Sequence, residues 1–164
     1  MDNKILKIIT AIAVVVVVGF GIYSGFGTVT EKLGMTNYMP VQLVMDSVTA
    51  TSTGKFTLSQ SYKNVVYSID TSATTTATLN FIGSINETAP SSTVARSVTN
   101  QFEYLQILDL ENGTSIDGDT GVTLSGDDHR LVEIQTNLIN WVAPDLTSYA
   151  TGTIDVQIVA GDNR

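Results

Sequence analysis

Thr151-Gly-Thr-Ile154-Asp-Val156-Gln-Ile158-Val-Ala160-Gly161 alternates apolar and polar residues with a period of two. In an extended chain successive side chains point to opposite faces, so Ile154, Val156 and Ile158 would face a core, and Asp155 and Gln157 water. Val65, Tyr67 and Ile69 repeat the pattern, as do Phe56 and Leu58. Short runs of this kind, separated by Gly, Asn, Asp and Ser clusters, fill the chain from Val41 onward. Strands are expected at Val41–Asp46, Lys55–Gln60, Asn64–Asp70, Ala77–Gly83, Gln101–Leu110, Arg130–Thr136, Leu138–Val142 and Gly152–Ala160. A shorter strand is expected at Gly121–Leu124. Within Gln101–Leu110 the apolar residues occupy both faces, as expected of a strand covered on both sides. The fold class that follows is an all-β sandwich or jelly-roll-like domain. Neither an internal repeat nor a convincing amphipathic helix appears in this region.

The opposite end of the chain reads differently. Residues 8 to 30 carry no charge, and Ile8 to Phe26 is almost wholly apolar. As a helix, Ile5 to Phe26 would be about 33 Å long, matching a hydrocarbon core of about 30 Å. Ile8, Ile12, Val16, Phe20 and Tyr23 mark this transmembrane-type or assembly helix, with Tyr23 placed as an interfacial aromatic. Lys4 and Lys7 precede it and an acidic region follows, which puts the N-terminus inside and the bulk outside. The five valines from Val14 to Val18 form helix poorly in water, but a bilayer or protein sheath obliges the backbone to satisfy itself. A strand donated to a neighbouring subunit would suit the same residues. Three assignments stand: a retained anchor, a pilin-like tail buried in a filament, and a signal peptide cut after Gly25-Phe26-Gly27. The pilin processing site and its following Glu are missing. The division expected is an anchor helix over 1–27, a connector over 28–38 and the sandwich over 39–164.

Composition narrows the function classes. The chain has 164 residues, with 8 Lys and Arg against 16 Asp and Glu, a net charge of −8. Nucleic acid is not an expected partner, since neutralising phosphates takes clustered cations. There is no Cys and a single His, His129. Thiolate metal sites and thiol nucleophiles are excluded, and a Ser-His-Asp arrangement is disfavoured.

The densest polar cluster runs from Asp109 to Gly121, followed by Gly126 to His129. Asp117 and Asp119 are the candidate ligands for a calcium-type cation, which takes six to eight oxygens. The EF-hand pattern fails at Gly121, and the competing explanation is that Asp-Gly and Asn-Gly pairs make tight turns. No other cofactor is expected. Asp119-Thr120-Gly121 spells the aspartic-protease triplet, but it is found once and in a polar turn, whereas that chemistry needs two carboxylates sharing a proton. His129, beside Asp127, Asp128 and Arg130, reads as a surface pair at a strand start. Trp141 reads as packing, with a sugar platform as the alternative. Asn86-Glu-Thr88 and Asn112-Gly-Thr114 match the glycosylation acceptor pattern.

Three marks carry a resemblance: Tyr104, Asp109, Leu110 and Gly113 in one strand exit, Asp117 to Gly121, and Glu133, Thr136, Asn137 and Trp141 in a strand pair. Over about residues 64–161 the chain resembles small all-β structural domains of phage and virus virion proteins. That resemblance implies a virion part with no catalytic residues. The layout of apolar helix plus sandwich is also similar to archaeal pilins and archaellins. The function expected is a non-enzymatic structural subunit, a membrane-anchored virion protein. The alternatives are an extracellular filament subunit at the cell surface, and an anchored glycan- or receptor-binding module using loops 109–128. Expected partners are a lipid bilayer or neighbouring helices, copies of itself and other structural proteins.

Overall fold

The computed structural model describes residues 38–91, 93 and 100–161, within one compact unit, Asn37–Asn163. Ile8, Ile12, Val16, Phe20 and Tyr23, and the helix expected there, lie outside the described residues.

The described residues form an all-β sandwich of two sheets, with no helix among them. One sheet has the order β1 (Tyr38–Val48), β12 (Ile154–Gly161), β4 (Asn64–Thr71), β10 (His129–Gln135), β7 (Ile107–Asp109) and β8 (Ser115–Ile116). The second has β2 (Ser52–Thr53), β11 (Trp141–Thr151), β5 (Thr76–Ser84) and β6 (Glu103–Tyr104); β3 (Thr57–Leu58) also pairs with β11, and β9 (Val122–Ser125) with β5. All pairings are antiparallel.

The expected alternation is realised in the first sheet. Ile154, Val156 and Ile158 of β12, and Val65, Tyr67 and Ile69 of β4, are buried. These strands pair in unbroken register from Ile154 opposite Thr71 to Gly161 opposite Asn64. Across the core Tyr67 meets Phe81 of β5, their ring centroids 4.5 Å apart. Burying each such side chain stabilises the fold by about 1.5–3 kcal/mol. The hairpin from β11 into β12 turns at Gly152, whose φ of +99° suits only glycine. β1 starts three residues earlier than expected and includes Pro40, which an outer strand tolerates because it has no second ladder to complete. Its pairing with β12 slips at three places, and Ser47 has φ +47°.

Three strand assignments are corrected. Gln101–Leu110 is not one strand covered on both faces. Glu103–Tyr104 belongs to the second sheet and Ile107–Asp109 to the first. Leu105 lies at the crossing, its N–H on the Phe81 carbonyl at 2.8 Å. Apolar residues fall on both faces because the inward direction reverses between sheets.

Lys55–Gln60 is inverted: Thr57 and Ser59 are buried while Leu58 is exposed and Phe56 only half-buried. The cause lies at Gly54, where the chain straddles both sheets. Gly54 N–H reaches the Pro144 carbonyl of β11 at 2.8 Å and Lys55 N–H the Val44 carbonyl of β1 at 3.0 Å. A Cβ on Gly54 would stand 2.7 Å from Pro144 Cγ and 2.9 Å from Met45 Cγ. The chain therefore rejoins β11 in the opposite phase, and Ser59 is held by Asn140 O (2.8 Å, from N–H) and Ile139 O (2.9 Å, from Oγ).

Of Leu138–Val142 only Trp141 and Val142 are strand. β11 starts at Trp141 and runs on through Pro144 to Thr151. Pro144 faces the interruption between β2 and β3, so its missing N–H breaks no continuous ladder.

Candidate functional site

The polar segment from Asp109 to Gly121 folds as two hydrogen-bonded turns. Asp109, buried at the end of β7, accepts the Glu111 N–H at 2.9 Å and the Asn112 side-chain amide at 3.2 Å. Its backbone pairs with Thr114 and Gly113, and Gly113 supplies a φ of +68°. Arg130 of β10 lies 3.6 Å from the Asp109 carboxylate and 2.9 Å from Asp128. Asn112 is exposed and accepts both the N–H and the hydroxyl of Thr114.

Asp117 and Asp119 are both exposed. The Asp117 carboxylate accepts the Asp119 N–H at 2.9 Å, and its carbonyl accepts the N–H groups of Thr120 and Gly121. The turn rests on Asn80 of β5, which is buried. Asn80 donates to the Gly118 carbonyl at 2.6 Å and accepts the Thr147 hydroxyl at 2.6 Å. A Cβ on Gly121 would collide with that amide at 2.7 Å. Asp-Gly-Asp-Thr-Gly thus reads locally as a turn seated on a buried amide. Among the described residues, no group of three or more His, Cys, Asp or Glu is arranged to hold a metal ion.

His129 opens β10 and is exposed, with Nδ1 2.9 Å from Asp70 and Nε2 3.7 Å from Asp127. Asp155 stands beside Asp70 in the register of β12 and β4, and accepts the Ser47 N–H at 2.6 Å. Asp46, Asp70, Asp127, Asp128 and Asp155 therefore share one end of the sandwich. Trp141, half-buried, pairs with Leu58 and Ser84 at the other end. Among the described residues its buried indole nitrogen has no partner, and neither do the hydroxyls of Thr57 and Tyr67. Burial pushes the Tyr67 phenol far above its ordinary value.

The second end carries the feature that sequence reading missed. Thr136, Asn137, Leu138 and Ile139 form a tight turn closed by Ile139 N–H on the Thr136 carbonyl at 2.9 Å. Leu138 occupies its third position with φ +65° and is 90% exposed. That conformation favours glycine or asparagine and costs a branched side chain about 1–2 kcal/mol. Asn140 fastens the turn to the Ile85 and Asn86 carbonyls at 2.8 and 3.1 Å, and Thr136 fastens it to the Tyr62 and Lys63 carbonyls. Ile85 beside it is 61% exposed, and Leu58 45%. Tyr38, 59% exposed, opens β1 at the same end, opposite Gly161. A groove of about 560 Å³ opens nearby between Ile85, Phe102, Leu105 and Ile139. The signal available in sequence was the run Asn137-Leu138-Ile139-Asn140 directly after Thr136, where the reading placed a strand from Leu138.

No family model and no curated relative matches the sequence. Among the described residues no helix is long and apolar enough to cross a membrane. Two solved structures share the fold. The SPBc2 prophage-derived protein YomS superposes with a TM-score of 0.57 at 11% identity, over 76% of this chain and 92% of its own. The PBSX exported protein XepA superposes with a TM-score of 0.56 at 12% identity, over 76% of this chain and 37% of its own. The sandwich described here is thus a fold that this chain shares with prophage-encoded proteins.

Proposed function

We propose that this chain is a non-enzymatic structural subunit of a phage-type particle, held at a lipid bilayer through residues 5–26. Its sandwich would contact copies of itself and other structural proteins. The observation that carries the reading is the fold held in common with two prophage-encoded proteins over 76% of the chain. The polar loops support it. Asp109, Asp117 and Asn80 spend their side chains on turns and neighbouring carbonyls, as in a scaffold built to present a surface. The uncharged run from Ile8 to Thr30 supplies the anchor.

The test is flotation of the full chain with phosphatidylcholine vesicles, beside Val16→Asp. A charge at the centre of a spanning helix costs about 2.5–3.5 kcal/mol on insertion scales. The wild-type chain should float and Val16→Asp should remain at the bottom of the gradient. Flotation of both would overturn the anchor. Polymerisation of the wild-type chain without lipid would make it a filament subunit instead.

A further inference from the structure

We propose that the folded sandwich presents Asn112 as the acceptor of an N-linked glycan. The site goes beyond the structural role above and does not depend on the anchor. Two Asn-x-Thr triplets fall among the described residues, Asn86-Glu-Thr88 and Asn112-Gly-Thr114. A transferase reads the side-chain amide together with the hydroxyl two residues on, so both have to stand on one exposed side of a loop. At Asn112 they do. Asn112, Gly113, Thr114 and Ser115 are all exposed. The Asn112 side-chain carbonyl accepts the Thr114 N–H at 2.9 Å and also the Thr114 hydroxyl, which holds amide and hydroxyl side by side. A Cβ placed on Gly113 would meet nothing within 4 Å, so the crest of the loop has room for an enzyme. The Asn112 amide nitrogen gives one hydrogen to Asp109 at 3.2 Å and keeps the second for transfer.

Asn86 carries the same triplet in a different setting. It is half-buried just past the end of β5, its N–H donates to the Ser84 hydroxyl at 3.2 Å and its carbonyl accepts the Asn140 amide at 3.1 Å. The chain there is fastened on both sides and cannot be drawn into an active site without breaking those bonds. Asn112 is also preserved against the side reaction to which Asn-Gly pairs are prone. Ring closure to a succinimide needs the Gly113 nitrogen to attack the Asn112 side-chain carbonyl, and that N–H is already donated to the Asp109 carbonyl at 2.9 Å. In the transfer itself, the anomeric carbon of a saccharide carried on polyprenyl diphosphate exchanges its bond to a phosphate oxygen for a bond to Nδ2 of Asn112. The amide gives up one proton to a base on the transferase, and polyprenyl diphosphate departs with the electron pair. The loop joins β7 to β8, and β8 is the outer strand of its sheet. A bulky, solubilising group on that hairpin would stand beside the open edge and keep neighbours off it.

The test uses the purified full chain in detergent, a single-subunit oligosaccharyltransferase and an oligosaccharide linked to polyprenyl diphosphate. Glycosylated positions are read by mass spectrometry of the digest. Peptides of residues 82–91 and 108–118 serve as unfolded acceptors. The expected result is several-fold more glycan at Asn112 than at Asn86 in the folded chain, with the two peptides modified alike. Asn112→Gln and Thr114→Val should each abolish the Asn112 glycan and leave the circular dichroism of the fold unchanged. A 108–118 peptide that is modified while the folded chain stays bare at Asn112 would overturn the proposal. So would equal modification of Asn86 and Asn112 in the folded chain, or a Thr114→Val chain glycosylated like the wild type. A 108–118 peptide that the enzyme ignores beside an accepted 82–91 peptide would overturn it too.

Discussion

Leu138→Asn should stabilise the protein, although it replaces a leucine by a smaller polar residue. Leu138 holds φ +65° in the turn closed by Ile139 and Thr136. The strain is about 1–2 kcal/mol for a branched side chain, and Asn largely escapes it. The leucine returns little, because a side chain 90% exposed keeps only about a tenth of the ~2 kcal/mol that full burial brings. The net gain is about 1 kcal/mol, which for a domain of this size raises Tm by about 3–5 °C. Leu138→Gly should gain less, since glycine widens the unfolded ensemble by about 0.4–1 kcal/mol. Leu138→Val should lose stability, because β-branching is still less compatible with positive φ. Thermal unfolding followed by the fluorescence of Trp141, the sole tryptophan, reads all four proteins. A ranking in which Leu equals or exceeds Asn, or Val matches Leu, would refute the strain argument.

Gly152→Ala should be severely destabilising, by about 3 kcal/mol or more, since φ is +99° and a Cβ would lie 2.5 Å from Thr75 Cα. Loss of the folded circular dichroism signal at ordinary temperature, or a Tm lowered by ten degrees or so, checks it. Asp109→Ala removes a buried carboxylate that two turn donors and Arg130 share, so about 2–4 kcal/mol should be lost in urea unfolding. Asp109→Asn, which keeps an acceptor for Glu111 N–H, should lose less. Tyr67 makes alkaline stability asymmetric. Its phenol ionises near pH 10 in the unfolded chain but stays protonated when folded, because burial raises its pKa. The folded state then binds more protons, so above about pH 10 stability should fall by about 1.4 kcal/mol per pH unit from this group. Tyr67→Phe should remove that slope and cost nothing at pH 7, since the hydroxyl has no partner among the described residues to lose.

Where a strand is regular on one face, its residues announce it. β4 and β12 could be read directly because Val65-x-Tyr67-x-Ile69 and Ile154-x-Val156-x-Ile158 keep one phase from end to end. Periodicity fails where a chain changes sheets, since inward then means the opposite phase. That is why Thr57 and Ser59 took the places expected for Phe56 and Leu58, and why the residues around Leu105 looked two-faced. β11 was hidden by Pro144 and by the polar run to Thr151, and tertiary pairing with β5 overrides both. The turn character of the acidic segment was legible in Asn-Gly and Asp-Gly. Its seat on Asn80, 38 residues away in the chain, was not. Leu138 was legible only as an apolar residue, because the sign of its φ is set by the hydrogen bonds around it.

The broken outline of β1 has a consequence for crowding. Wherever sandwiches meet at high local concentration, an open strand is a template on which sheets fuse. β1 is the long outer strand of its sheet, yet Pro40 lacks a donor, Val44 O is already taken by Lys55, and the ladder slips at three places between Met39 and Val48. The outer strands β2, β3, β6 and β8 are two residues each, and β9 is four. Neighbours built this way cannot zip together into a continuous fibre. They can be packed as densely as their side chains allow and still come apart as individual molecules.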